Sequence, residues 1–414
     1  MRMKEEMPLL LNVTEKAFTR SMGEAGRKQK SGTVIFVQYT NPAAYPPLAH
    51  VSRILAGNHW QIMFLGTDVV GTDSLRFESH SSIEVRSMGF SAPGWRRKIH
   101  YLRFLLWTIL WTLRTQPQIV YASDLLACPA GLIISYLPGT TVIYHEHDSP
   151  RTIARSVVLR FAYAARRRLS KRAAACILPN KRRADAFVKE TANGNNVLCV
   201  WNCPSMAEIA PAREPSNGDE VWVLYQGSIV PSRLPLTVVE ALALLPNKMK
   251  LRVIGYETIG HPGYVDELHR LAKRLGVLHR VQFLGPVPRS RLMELVATCD
   301  IGLSLMPNET DDFNQQAMIG ASNKAFDYLA CGLPLLVSHL PDWLDAYVTT
   351  GYGHDCDPND PRSIAGKLLW FANNGEEMRA MGERGRQKIL AEWNYETQFS
   401  QVAAVLEDKR DKSF

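Results

Sequence analysis

The sequence predicts an α/β protein with parallel sheets in two domains, and three observations carry that prediction. Short apolar runs at 33–37, 119–122, 221–225 and 251–255 alternate with longer amphipathic stretches, the pattern of buried parallel strands joined by crossover helices. The length of 414 residues accommodates two domains of ordinary size. Between them, 205–219 has the Pro, Ala, Ser and Gly content of a linker.

Composition narrows the class of function. The chain is 46% hydrophobic and 21% charged, as globular proteins are, and its net charge of +8 points to an anionic partner: nucleic acid, an acidic membrane surface or a phosphorylated substrate. Cys128, Cys176, Cys199, Cys203, Cys299, Cys331 and Cys356 are scattered without a Cys-x-x-Cys pair. That favours reduced thiols in a cytoplasmic protein over a disulfide scaffold or a zinc site. Residues 1–30 mix charges without periodicity or the sustained apolar core of a signal peptide, so they read as a flexible tail.

The first half opens with a buried strand at 33–37. Turns at Asn41-Pro42 and Pro46-Pro47 lead to a helix over 48–56 that stops at Gly57, and a strand over 61–65 follows. The segment Trp95–Thr115 is the most apolar of the chain, but Arg103, Thr108 and Thr112 interrupt it, and a bilayer-spanning helix needs roughly 20 predominantly apolar residues. It reads either as a helix packed on the sheet with a basic entry or as one lying on an anionic membrane, with Arg96, Arg97, Lys98 and Arg103 at the headgroups. After a strand at 119–122, Ser123-Asp124 has the composition of a helix cap. The strand 141–144 then delivers His145, Glu146, His147 and Asp148 to its C-terminal end, the edge where open parallel sheets collect ligands. Alternate residues there face opposite ways, so the four do not form one metal site. An arginine-rich helix over 151–172 lacks the interleaved aromatics of a nucleic-acid surface and reads as solvated or membrane-facing. Strands at 174–178 and 197–201 end in the corners Pro179-Asn180 and Asn202-Cys203-Pro204.

In the second half a strand at 221–225 runs into Gln226-Gly227-Ser228, where a glycine lets backbone approach a phosphate. Arg233 and a helix over 236–245 follow. Further strands are expected at 251–255, 281–285 and 300–305, with helices over 266–275 and 292–297. The loop 307–321, carrying Glu309, Asp311 and Asp312, is long enough for a functional role. Its successor is the most informative stretch: Ser322 or Asn323 caps a short helix with Phe326, Leu329 and Ala330 on one face, Gly332 and Pro334 end it, and a buried strand at 335–337 follows. The N-terminus of such a helix attracts phosphate, and Asp327, one turn in, suits a sugar's vicinal hydroxyls.

The run from Ser322-Asn323-Lys324 through Phe326-Asp327-Tyr328-Leu329-Ala330-Cys331-Gly332 resembles the donor motif of family-4-like glycosyltransferases with the GT-B fold, in the variant found in bacterial polysaccharide enzymes. The usual motif has paired glutamates; here Asp327 stands at the second and Ile319 at the first. The resemblance implies two Rossmann-like domains facing across a cleft: an acceptor-side domain over 31–205, a nucleotide-sugar domain over 220–390, and a last helix over 391–414 crossing back to the first. It implies donor contacts from Gly227, Ser228, Arg233, Ser322, Asn323, Lys324 and Asp327, with Arg233 and Lys324 supplying the charge that Ser228 lacks. It places His147 and Asp148 in the cleft, with His147, Asp148 and Arg233 as the catalytic candidates, and the loop around Tyr45 on the acceptor side. The expected reaction moves a sugar from a UDP- or GDP-linked donor to a hydroxyl of a glycan or lipid-linked acceptor. No metal or other cofactor is expected, since no Asp-x-Asp clamp stands in the sequence, and anomeric configuration is expected to be retained. Partners would include an anionic membrane, on its cytoplasmic face, and no nucleic acid. The alternatives are a GT-B epimerase or phosphorylase, and a non-catalytic binder motivated by Ile319 and Ser228.

Overall fold

The computed structural model describes residues 32–69, 75–92, 94–150, 156–212, 220–258 and 260–411. The tail expected at 1–30 and the end of the linker, 213–219, lie outside them. The first sheet has seven parallel strands, β1 (Thr33–Gln38), β2 (Gln61–Thr67), β3 (Ile83–Met88), β4 (Ile119–Ser123), β5 (Thr141–His145), β6 (Ala175–Leu178) and β7 (Val197–Cys199), in the order β3-β2-β1-β4-β5-β6-β7. The second has six, β8 (Val221–Ile229), β9 (Met249–Glu257), β10 (Val281–Phe283), β11 (Ile301–Ser304), β12 (Leu335–Ser338) and β13 (Gly353–Cys356), in the order β10-β9-β8-β11-β12-β13. Both orders reverse direction beside their first strand, β1 against β4 and β8 against β11. This reversal opens a crevice beyond the carboxyl ends of the strands. The two crevices form the walls of one cleft.

Each sheet is sandwiched between two apolar layers, as near-continuous apolar strands require. In the first, Val37, Val120, Tyr144 and Phe104 fill one face and Val34, Phe36, Tyr121 and Leu48 the other. The last helix, Tyr395–Asp411, starts in the second half but packs Tyr395, Phe399, Val402 and Leu406 into this latter layer.

Four local readings differ from expectation. Strand β3 was not anticipated: Ile-Glu-Val-Arg-Ser-Met is a half-exposed edge strand with charges interrupting its apolar alternation. Asp124 does not cap with its side chain; its backbone sits at φ 63, and a short 3-10 turn, Leu125–Ala127, precedes the helix Cys128–Ile134. Ser322 occupies the N-cap of Asn323–Ala330 without a side-chain cap bond. The arginine-rich helix spans Val157–Leu169, capped by Ser156 onto the Leu159 amide; 151–155 lie outside the described residues.

The loop 307–321 belongs to the second half yet is fastened to the first. Asn180 Nδ2 donates to the Ala317 carbonyl at 2.7 Å, Asn202 Nδ2 to that of Ala321 at 2.8 Å, and the Asn202 amide to that of Gly320 at 2.7 Å. Ser149 and Asn314 exchange a reciprocal pair of hydrogen bonds. The two asparagine corners that end β6 and β7 thereby clamp the loop that leads into the donor-motif helix.

Candidate functional site

A cleft of about 800 Å³ lies between the carboxyl edges of the sheets. The second domain contributes Gly227, Ser228, Arg233, Ser322, Asn323, Lys324 and Asp327, and the first contributes Tyr45, His50, His147 and Asp148. All the donor-contact and catalytic candidates, though not His145, Glu146 or the acids of the 307–321 loop, therefore line one cavity. Their environments differ.

Lys324 is buried at the start of the helix Asn323–Ala330. Burial, with Arg233 nearby, pushes its ammonium down to about 7 against the opposing pull of Asp327. Among the described residues it has no ion pair and no hydrogen bond; its nearest aromatic neighbour is Tyr225, 5.5 Å to the ring centre. A buried cation without a counter-ion is costly unless a ligand brings one. The backbone beside it is shaped for close approach. Gly227 sits at φ +109, and a Cβ there would meet Lys324 Cε at 2.9 Å. Gly255, at φ +150 on the neighbouring strand, leaves no room for a Cβ at all, since Gly227 O would stand 1.8 Å away. Half-buried Arg233 follows the end of β8, and its guanidinium is likewise without an ion pair among the described residues. Buried Asn323 Nδ2 has no hydrogen-bond partner among the described residues. Two cations, an orphaned amide donor and the amides of a helix N-terminus converge on this end of the cleft, which is the chemistry of a polyanion site.

Asp327 is fully buried, and its carboxylate is already engaged. Arg289 grips it with two bonds of 2.7 Å, and Gln226 Nε2 adds a third at 2.7 Å. The same guanidinium donates to Glu208 at 2.8 and 3.0 Å, and Glu208 also accepts from the Ser205 amide and meets His50 Nε2 at 2.9 Å. Burial alone would raise the Glu208 carboxyl, but Arg289 and His50 hold it well below its ordinary range. Gln226, Asp327, Arg289, Glu208 and His50 thus form one chain from the second sheet across the cleft floor to the helix Pro46–Gly57. None of its members except Asp327 was singled out from sequence. The one cue was the Ser205-x-x-Glu208 spacing, a capping-box signature.

On the opposite wall, β5 ends in the four-residue acid and histidine run, which the structure divides. His145 turns into the core against Tyr121 Oη at 2.7 Å. Glu146 is buried in a bidentate pair with Arg166 and accepts from Tyr144 Oη. His147 faces the cleft beside Tyr45, with Nε2 3.0 Å from Ser123 Oγ. Burial pushes its imidazole down to about 4, against the pull of Asp148 the other way. It is therefore neutral at neutral pH. Its amide donates to Asp124 Oδ1 at 2.9 Å; burial raises that carboxyl to about 6 despite the hydrogen bond from Gln38. Asp148 is 77% exposed at the cleft rim, 3.3 Å from Arg183 Nη1. Arg183, missed in the sequence reading, is almost fully buried and donates to the carbonyls of His147 at 2.7 Å, Asn314 at 2.9 Å and Ala317 at 3.1 Å. It locks the β5 end to the 307–321 loop. From that loop the cleft lining takes Met318 and Ala321. Among the described residues no cluster of three or more His, Cys, Asp or Glu could hold a metal ion.

Comparison with known proteins finds similarity concentrated in the second half. Residues 206–388 match the family model "Glycosyl transferases group 1". The chain is 28% identical over 174 residues to D-inositol 3-phosphate glycosyltransferase of Xylanimonas cellulosilytica, covering 41% of this chain and 39% of that one. It is 24% identical over 197 residues to the GDP-mannose-dependent alpha-(1-6)-phosphatidylinositol monomannoside mannosyltransferase of Mycolicibacterium smegmatis, covering 47% and 50%. These alignments span about half or less of the relatives' length. Over the whole fold, Anabaena HepE in complex with UDP-glucose superposes with a TM-score of 0.67 at 17% identity, covering 91% of this chain and all of that one (100%). WaaG, a glycosyltransferase involved in lipopolysaccharide biosynthesis, superposes at 0.63 with 14% identity, covering 90% and 99%. The architecture is the GT-B fold.

Proposed function

We propose, for a chain whose residues 206–388 match the glycosyl transferases group 1 model and whose architecture is the GT-B fold, that it transfers a sugar from a nucleotide-diphosphate sugar to a hydroxyl acceptor. One observation carries this reading: Lys324 is buried without an ion pair among the described residues, set beside Arg233 at a helix N-terminus and facing the cleft. A diphosphate supplies the missing charge. As the bond to the sugar breaks, negative charge grows on the departing diphosphate, and fixed cations and amides in a water-poor cleft stabilise that charge without reorganising. Because these groups belong to the chain, the reading includes no divalent ion. His147, neutral and anchored to Ser123, orients the sugar or the acceptor hydroxyl, and Asp148 contributes at the rim. Asp327, gripped by Arg289, keeps acceptor capacity for a ribose hydroxyl.

The same reading includes a UDP- or GDP-linked hexose or N-acetylhexosamine, retention of configuration, and a glycan or lipid-linked acceptor in polysaccharide or glycolipid synthesis at the cytoplasmic face of a membrane. HepE's complex with UDP-glucose and the mannosyltransferase named for GDP-mannose support both nucleotide classes as candidates. The test is release of nucleoside diphosphate from a panel of UDP- and GDP-sugars, with and without oligosaccharide and polyprenyl-phosphate acceptors. Turnover with one donor, lost in Arg233→Ala, is expected. Binding of a donor with no turnover under any acceptor would favour the non-catalytic alternative that Ile319 and Ser228 suggest.

A further inference from the structure

The helix Trp95–Thr115 buries one face and leaves a second apolar face in the open. Tyr101, Phe104, Leu105, Thr108 and Thr112 face the sheet. On the outer side Trp95, Ile99, Leu102, Leu106, Leu110 and Leu113 are 49 to 67% exposed. Their spacing of three or four residues makes them one continuous stripe along the helix. An unpartnered stripe of this size on a soluble surface marks an interaction site.

The charge around the stripe selects its partner. The helix Trp95–Thr115 contains Arg96, Arg97, Lys98, Arg103 and Arg114 and not one Asp or Glu. The helix packed beside it, Cys128–Ile134, and the helix packed on that one in turn, Val157–Leu169, also contain no acid, and the latter adds exposed Arg160, Arg167 and Arg168. Exposed Val157 and Phe161 extend the apolar surface, and Arg172 lies flat on exposed Tyr136, 3.8 Å from its ring centre. A second copy of the chain would bring two basic faces together, and nucleic acid would leave the leucines wet. An anionic bilayer satisfies both components at once.

We propose that this face docks on an anionic membrane, with the leucine stripe at the acyl boundary and the arginines among the headgroups. Among the described residues no helix is long and apolar enough to cross a membrane, so the contact is with one leaflet surface. The helix runs antiparallel to the strands, which sets the direction of the cleft. Its basic N-terminal end stands at the carboxyl edge of the sheet, where His100 Nδ1 meets Tyr39 Oη, just past β1, at 2.9 Å. Docking therefore brings the cleft mouth to headgroup level, where a lipid-linked hydroxyl would enter. That last step rests on the transferase reading; the docking does not.

The experiment is co-sedimentation of the full chain with vesicles of phosphatidylcholine alone and of phosphatidylcholine mixed with phosphatidylglycerol. Sedimentation with the anionic vesicles only is expected, weakened roughly fivefold for each arginine or lysine removed from Arg96, Arg97 and Lys98 by glutamine substitution. The pair Leu106→Gln and Leu110→Gln, at exposed positions, is expected to abolish it while leaving the melting temperature and nucleotide-induced stabilisation unchanged. Failure to sediment with anionic vesicles, undiminished sedimentation of the leucine pair, or a dimer in solution that the leucine pair dissociates would overturn the proposal. Sedimentation without any nucleotide binding would leave docking intact and sink the transferase reading.

Discussion

Arg289 holds both oxygens of Asp327 at 2.7 Å while its other edge holds Glu208. Three donors, counting Gln226, occupy a carboxylate that offers roughly four acceptor sites, so about one site is left for a ligand hydroxyl. The acid of the donor motif is thus held rigidly in place before any donor arrives. Its bonding also links the two domains, because Glu208 passes the contact on to His50.

Arg289→Leu leaves buried Asp327 and partly buried Glu208 without their shared cation. Breaking a buried pair from one side costs about 3–5 kcal/mol, which denaturant unfolding will show as a lower midpoint. Adding Asp327→Leu to Arg289→Leu should recover part of that loss. A double variant as unstable as the sum of the singles would mean the two residues are not coupled.

Burial and the neighbouring Arg233 push the Lys324 ammonium down to about 7. Below that pH it carries the charge that a diphosphate needs; above it the ammonium must be re-formed on binding. Affinity for a nucleoside diphosphate should therefore fall as pH rises from 7 towards 9, by up to about tenfold per unit. Lys324→Arg stays charged throughout and should flatten the dependence. Calorimetric titration across that window reads both.

His147 is neutral down to about pH 4, so no limb of the turnover profile between pH 5 and 8 should belong to it. His147→Gln is expected to lower turnover without moving that profile. If instead the variant removes a limb near pH 6.5, the imidazole is the titrating group and its neutral, orienting role is wrong.

Gly320 sits at φ +78 where a Cβ would stand 2.6 Å from the Pro179 carbonyl and 2.7 Å from Trp201 Cδ1. Gly320→Ala should cost about 1–3 kcal/mol from overcrowding, and because the contact lies between the domains it should also loosen the clamp. Faster proteolysis within 307–321 would report the loosening.

The parts of this molecule that follow from local pattern were legible in the sequence. Strand β1, the helix Trp95–Thr115 and the donor-motif helix Asn323–Ala330 each carry their own periodicity and end signals, and Lys324 and Asp327 lie within a single short motif. Arg289, Glu208 and Arg183 were not legible because their roles come from tertiary approach: Arg289 meets Glu208 across 81 residues of chain, and Arg183 meets Asn314 across 131. The use of the outer face of Trp95–Thr115 was open as well. The most apolar stretch with its basic entry reads either as a helix packed on the sheet or as one lying on a membrane, and only packing separates the buried Phe104 side from the exposed Leu106 side.

The central claim is that the cleft binds the diphosphate of a nucleotide sugar through Lys324 and Arg233. Calorimetric titration of the protein with UDP and with GDP at pH 7, repeated on Arg233→Ala and Lys324→Ala, tests it most directly. One of the two nucleotides should bind, and each variant should weaken it about ten- to hundredfold, the worth of a charge-assisted hydrogen bond. Binding by neither nucleotide, or variants that bind as tightly as the parent, would contradict the account.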